Sequence, residues 1–173
     1  MELASRWVCD WRLAIARMPR RATTAGHVRE KDGKMPSDHR GKLVIADDHE
    51  LITRKVVEIV ADEFDVVATL NDGLQVAETV ESLRPDIILL DISMPFVDGL
   101  TAAREVKRSG LPVKIVFLTV GEDADAVHAA IALGASYVLK RRMHVDLLMA
   151  LQEALAGRIF VSPHAAVAVP VAR

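Results

Sequence analysis

Residues 85–99 read Pro-Asp-Ile-Ile-Leu-Leu-Asp-Ile-Ser-Met-Pro-Phe-Val-Asp-Gly, and the reading of this stretch decides the fold. Ile87, Ile88, Leu89 and Leu90 form an unbroken apolar run entered through Pro85, the pattern of a strand buried on both faces of a parallel sheet. The run stops at Asp91. A carboxylate directly after a buried strand, followed by Met94-Pro95 and then Asp98-Gly99 at a helix start, stands where open parallel sheets bind ligands. Asp98 reads as the N-cap of that helix. Asp91 is the first candidate for chemistry.

The same alternation extends on both sides of this stretch. Strands are expected at residues 43–46, 64–70, 86–90, 113–118 and 136–139, and helices at 49–62, 74–83, 100–108, 122–133 and 145–156. Asn71-Asp72-Gly73, Gly110 with Pro112, Gly134 and Gly157 punctuate them. Five strands alternating with five helices through short loops predict an α/β fold, a doubly wound parallel sheet of order 2-1-3-4-5 spanning residues 41–157. Asp47 and Asp48 end the first strand, Asp91 the third, Thr119 the fourth and Lys140 the fifth. In a parallel sheet these ends share one edge, and that strand order makes the acidic ends neighbours.

Composition sets the outer limits. The chain has 173 residues, 51% of them apolar, enough for one good core with an appendage. Its 22 basic and 24 acidic residues are unevenly spread: residues 1–40 carry nine and five (net +4), and residues 41–173 carry thirteen and nineteen (net −6). The acidic body argues against a nucleic-acid surface there. A single cysteine, Cys9, makes no intramolecular disulfide, so a reducing, cytoplasmic setting is expected. No apolar run reaches the roughly 18 residues of a membrane span.

Residues 1–40 read as a basic leader, flexible from about Pro19 onward. Within it Leu3, Trp7, Trp11, Ala14, Ile15 and Met18 recur at the spacing of a short amphipathic helix, and Asp10 and Arg12 break any signal-peptide core. Residues 158–173 are expected as a C-terminal tail outside the domain.

Electrostatics narrows what the strand-end cluster does. Two carboxylates about 4 Å apart repel by roughly 4 kcal/mol at an effective dielectric near 20, so three gathered together take up a cation or protons. A hard divalent ion such as Mg²⁺ fits an incomplete carboxylate cage that leaves positions for water or phosphate oxygens. Lys140 adds a point charge suited to phosphate, and Thr119 adds a hydroxyl. The set reads as a phosphoryl site. The histidines at 27, 39, 49, 128, 144 and 164 show no metal-ligand spacing, and the Lys140-Arg141-Arg142 run is expected to lie in a solvated loop.

The ordered pattern Asp47-Asp48, Asp91-x-x-Met94-Pro95-x-x-Asp98-Gly99, Thr119 and Gly134-Ala135-Ser136-Tyr137-x-x-Lys140 resembles the response-regulator receiver domain of bacterial two-component signalling. Ala46-Asp47-Asp48-His49 and the run from Ala156 to Pro163 resemble the LuxR-type (NarL/FixJ-like) subgroup in particular. The resemblance implies a flavodoxin-like fold in which Asp91 accepts a phosphoryl group from a sensor histidine kinase or phosphotransfer protein. It also implies that Asp48, Asp91 and the Ser93 backbone carbonyl bind Mg²⁺, with Asp47 acting mainly through water. Lys140 and Thr119 would then contact the phosphoryl group, and Thr119 would shift together with Tyr137. The implied role is a signalling receiver and not an enzyme. A haloacid-dehalogenase type of hydrolase would carry a second Asp where this chain has Ser93.

Two departures from the family pattern carry expectations. Val120 follows Thr119 where many receivers have a smaller residue, which should restrict access to the site, and Arg141 follows Lys140 where many have Pro. Ten residues follow Pro163, fewer than a helix-turn-helix domain needs, so no DNA binding is expected from this chain. Output through protein contacts, including a homodimer, is the expectation. The alternative is the receiver half of a LuxR-type transcriptional regulator.

Overall fold

Successive side chains of a strand point to opposite faces of its sheet, and here both faces are apolar, which requires helices on both sides. A computed structural model of the chain describes residues 40–166. Strands β1 (Gly41–Ala46), β2 (Phe64–Leu70), β3 (Ile87–Leu90), β4 (Lys114–Thr119) and β5 (Ser136–Leu139) alternate with helices α1 (Glu50–Val60), α2 (Val76–Leu83), α3 (Gly99–Arg108), α4 (Ala124–Ala132) and α5 (Met143–Leu155). The five strands form one parallel sheet in the order β2-β1-β3-β4-β5. That is the order expected from the sequence. Residues 1–39, where the leader and an amphipathic helix are expected, lie outside the described residues, as do residues 167–173.

The two core layers follow the strand alternation. Leu43, Ile45, Ile87, Leu89, Val116, Leu118 and Val138 face α1 and α5, where Val56, Val60, Leu147 and Leu151 bury against them. Val44, Ala46, Ile88, Leu90, Ile115, Phe117, Tyr137 and Leu139 face the other helices, with Val76, Val80, Ala103, Val106 and Val127. Register then aligns the strand ends. Ala46 pairs with Leu90 and Thr119 with Leu139, so the residues that follow, Asp47, Asp91 and Lys140, leave the sheet along one edge.

Two features depart from the expected regularity. In β2 the register slips between Leu43 and Val44, whose partners are Val66 and Ala68, and Val67 is left without a partner in β1. Beyond α5 the chain also stays on the body: Val161 bridges Tyr137 in parallel, and a short helix, α6 (Pro163–Ala166), carries the fully buried Ala165 into the second core layer. Among the described residues, the segment expected as a tail is therefore packed against β5.

Candidate functional site

The backbone fixes the acidic edge before any side chain acts. Asp47 N–H donates to the Leu70 carbonyl at 3.0 Å and Asp91 N–H to the Ala46 carbonyl at 2.8 Å, which holds the two aspartates at adjacent strand ends. Both are buried, with Asp91 3% exposed. Lys140, 7% exposed, opens the 3-10 turn Lys140–Arg142 after β5 and reaches back across the edge. Its Nζ lies 2.7 Å from Asp91 Oδ2 and 2.8 Å from Asp47 Oδ2. One ammonium thus bridges two buried carboxylates, which a charge pair in a low-dielectric site requires to be stable.

The remaining valences are unequal. Asp47 Oδ1 accepts the His49 amide at 2.9 Å, capping the approach to α1, while Asp47 Oδ2 meets Lys140 as an ion pair without hydrogen-bond alignment. Asp91 Oδ1 is buried and accepts no hydrogen bond. An unpartnered buried carboxylate oxygen carries the full cost of its lost water. Carboxylate oxygens of Asp47, Asp48 and Asp91 and a ring nitrogen of His49 all lie within 4.8 Å of one another. Four candidate ligand atoms at that separation fit a divalent cation. Asp47, Asp48 and Asp91 offer the hard oxygens that Mg²⁺ prefers.

The sequence did not single out His49, yet its Nδ1 stands 2.7 Å from Asp48 Oδ1 and 3.4 Å from Asp47 Oδ1. Its adjacency to Asp47-Asp48 at a helix start was the available signal. Ser93 sits in a bend of the loop between Asp91 and the start of α3 at Gly99. Asp98 stays out of the cluster and caps α3, its carboxylate accepting from Thr101 N–H at 2.8 Å and Thr101 Oγ1 at 2.9 Å. Burial pushes this carboxyl up, but the Thr101 and Leu100 hydrogen bonds and the nearby Arg104 charge outweigh it and hold the group below its usual range.

Thr119 is buried at the end of β4, and its Oγ1 accepts the Gly121 amide at 3.4 Å. Tyr137 is wholly buried, and its hydroxyl donates to the Gly121 carbonyl at 2.8 Å. Both residues therefore hold the same loop between β4 and α4. Val120, in that loop, is 71% exposed. Phe96 is 85% exposed in the loop after Asp91 and has φ of 63°, a conformation that a bulky residue adopts at a cost.

The basic run is only partly solvated: Lys140 is buried, whereas Arg141 is exposed and pairs with Glu122 at the surface, and the partly exposed Arg142 grips Asp146 with two nitrogens. A cleft lined by Pro85, Asp86 and Val113 lies at the other edge of the sheet and holds none of the strand-end side chains.

Residues 43–153 match the model of the response regulator receiver domain. This chain belongs to that family. It is 35% identical over 130 residues to the transcriptional regulatory protein DegU of Brevibacillus brevis, covering 73% of this chain and 55% of that protein. With the nitrate/nitrite response regulator NarL of Escherichia coli K12 it shares 34% identity over 131 residues, 74% of this chain and 61% of that one. The chain thus spans a little over half the length of these curated relatives. Among solved structures, the signal receiver domain of the putative response regulator NarL from Mycobacterium tuberculosis matches with a TM-score of 0.65 and 28% identity, over 69% of this chain and 98% of that one. A LuxR-family two-component response regulator from Aurantimonas matches with a TM-score of 0.71 and 25% identity, over 76% and 96%. Fold and family agree: the receiver carries the flavodoxin-like sheet that the sequence predicts. Among the described residues, no helix is long and apolar enough to cross a membrane.

Proposed function

We propose that this receiver domain signals by accepting a phosphoryl group on Asp91 from the phosphohistidine of a sensor kinase or phosphotransfer protein. One observation carries the reading: Asp91 is buried at the sheet edge with Oδ2 on Lys140 and Oδ1 without a donor, so the carboxylate is oriented and incompletely satisfied. In the transfer a carboxylate oxygen forms a bond to phosphorus as the donor's N–P bond breaks, and the imidazole nitrogen keeps the electron pair. Lys140 meets the charge that arrives, and Thr119 supplies a hydroxyl beside it.

Asp48, Asp91 and the Ser93 carbonyl would hold Mg²⁺ directly and Asp47 mainly through water, and the ion would supply charge neutralisation for the phosphoryl oxygens. The domain is taken to run from residue 41 through residue 166, since the segment after Gly157 packs into the second core layer. Output passes through protein contacts on the face carrying Tyr137, with a second copy or another regulator. Incubation with Mg²⁺ and a phosphohistidine donor should label the wild-type protein and leave Asp91→Asn unlabelled. Equal labelling of the two would sink the assignment.

A further inference from the structure

Asp146 and Ser162 are buried polar groups that the phosphoryl site does not use. Ser162 Oγ donates to Asp146 Oδ2 at 2.7 Å and accepts from the Leu139 amide at 3.2 Å. Arg142 binds the same carboxylate through Nε at 2.7 Å and a terminal nitrogen at 3.0 Å. Ser136 Oγ, also buried, accepts from the Phe160 amide at 3.0 Å. These side chains fasten residues 158–166 to the free edge of β5. Along that edge Tyr137 N–H donates to the Phe160 carbonyl and Ser162 N–H to the Tyr137 carbonyl, both at 2.8 Å.

Two short routes join this fastening to the acidic pocket. Arg142 belongs to the same three-residue turn as Lys140, whose ammonium bridges Asp91 and Asp47. Tyr137 carries the segment on its backbone while its hydroxyl holds Gly121, two residues past Thr119. A two-nitrogen arginine–carboxylate bond has narrow geometry, so a small displacement of the turn breaks its alignment.

We propose that residues 158–166 form a latch on β5 that opens when Asp91 carries a phosphoryl group. The inference rests on the reading of Asp91 given above. A phosphoryl group brings about 1.5 to 2 negative charges into the space between Asp91 and Lys140. The ammonium then gives up its bridge between Asp47 and Asp91 to meet the phosphoryl oxygens, and because its stem is buried the turn moves with it. Arg142 loses its grip on Asp146, and Ser162 loses the anchored carboxylate. What emerges is the β5 edge and the apolar face beneath α6, both at the side of the domain from which the chain continues.

Hydrogen exchange on the full chain tests this, with Mg²⁺ present and with or without beryllium fluoride as the phosphoryl analogue; fluorine resonance reports loading. On loading, the Tyr137, Phe160 and Ser162 amides should exchange at least about fivefold faster, and those of Leu43 and Ile88 should not change. Linkage requires the reciprocal effect, so Ser162→Ala should bind the analogue at least about fivefold more tightly. Arg142→Gln, at a partly exposed side chain, should do the same and serves if the serine variant fails to fold. Unchanged exchange in loaded protein, or unchanged affinity in a folded variant, would overturn the latch and leave the phosphoacceptor standing. Absence of any bound fluoride signal in the wild type would overturn both.

Discussion

A Cβ placed on Gly99 would fall 2.0 Å from the carbonyl oxygen of Asp91, and the Gly99 amide donates to the Ile92 carbonyl at 2.9 Å. The first turn of α3 therefore rests directly on the backbone that carries the proposed phosphoacceptor. No side chain fits between them. Gly99→Ala should push this backbone aside or lift α3, costing about 1–3 kcal/mol in denaturant unfolding, and should lower labelling of Asp91. An alanine protein as stable and as readily labelled as the wild type would contradict the close approach.

Lys140 bridges Asp91 and Asp47 from a nearly buried position. Lys140→Met keeps the stem and removes the charge, leaving two buried carboxylates without their shared cation. Loss of one partner from a buried pair costs about 3–5 kcal/mol. Millimolar Mg²⁺, binding only the folded state, should return part of that loss. Thermal unfolding of the variant across a Mg²⁺ series is the measurement, and a melting temperature indifferent to Mg²⁺ would speak against a cation at these carboxylates.

Asp48 and Asp98 separate ligand from cap. Asp48→Ala should weaken Mg²⁺ binding far more than Asp98→Ala, whose carboxylate is spent on Thr101. Calorimetric titration suits the comparison. Equal losses would remove Asp48 from the ligand set.

Tyr137 is the single tyrosine of the chain, so phenolate absorbance reports it alone. Burial pushes its hydroxyl up to about 12, and the charges of Asp123 and Asp91 act in the same direction. An acid whose folded value lies above its ordinary 10 contributes stability that is complete below pH 10 and is lost as pH rises through about 12. The folded protein should therefore show no phenolate step near pH 10. A step there with the fold intact would mean that the hydroxyl is free of Gly121.

Asp47, Asp91 and Lys140 could be placed from sequence because each ends an apolar run whose burial on both faces requires a parallel sheet, and such sheets bring their ends together. Asp98 was equally legible, since a carboxylate before a glycine and three residues before Thr101 satisfies a local rule. His49 depends on a neighbouring side chain that turns toward it, and spacing alone does not reveal such a turn. The packing of residues 158–166 was hidden for a related reason. Phe160, Val161 and Ser162 are too few to show a period, and their partner is a strand edge that exists only once the sheet has formed. Arg141 is exposed as its sequence suggests, whereas the partial cover of Arg142 was hidden because its acidic partner, Asp146, comes from the next turn of the chain.

The sheet has two outer strands, and each is shielded differently. At β2 the slipped register leaves Val67 out of the ladder, which breaks the straight edge. At β5 residues 160–162 lie along the outer side of a strand whose four residues, Ser-Tyr-Val-Leu, are all buried. Open, apolar strand edges recruit other chains, so this coverage is a matter of colloidal behaviour as much as of folding. A polypeptide shortened after Gly157 would expose that edge and should clump and precipitate on concentration, whereas one carried through Ala166 should stay dispersed.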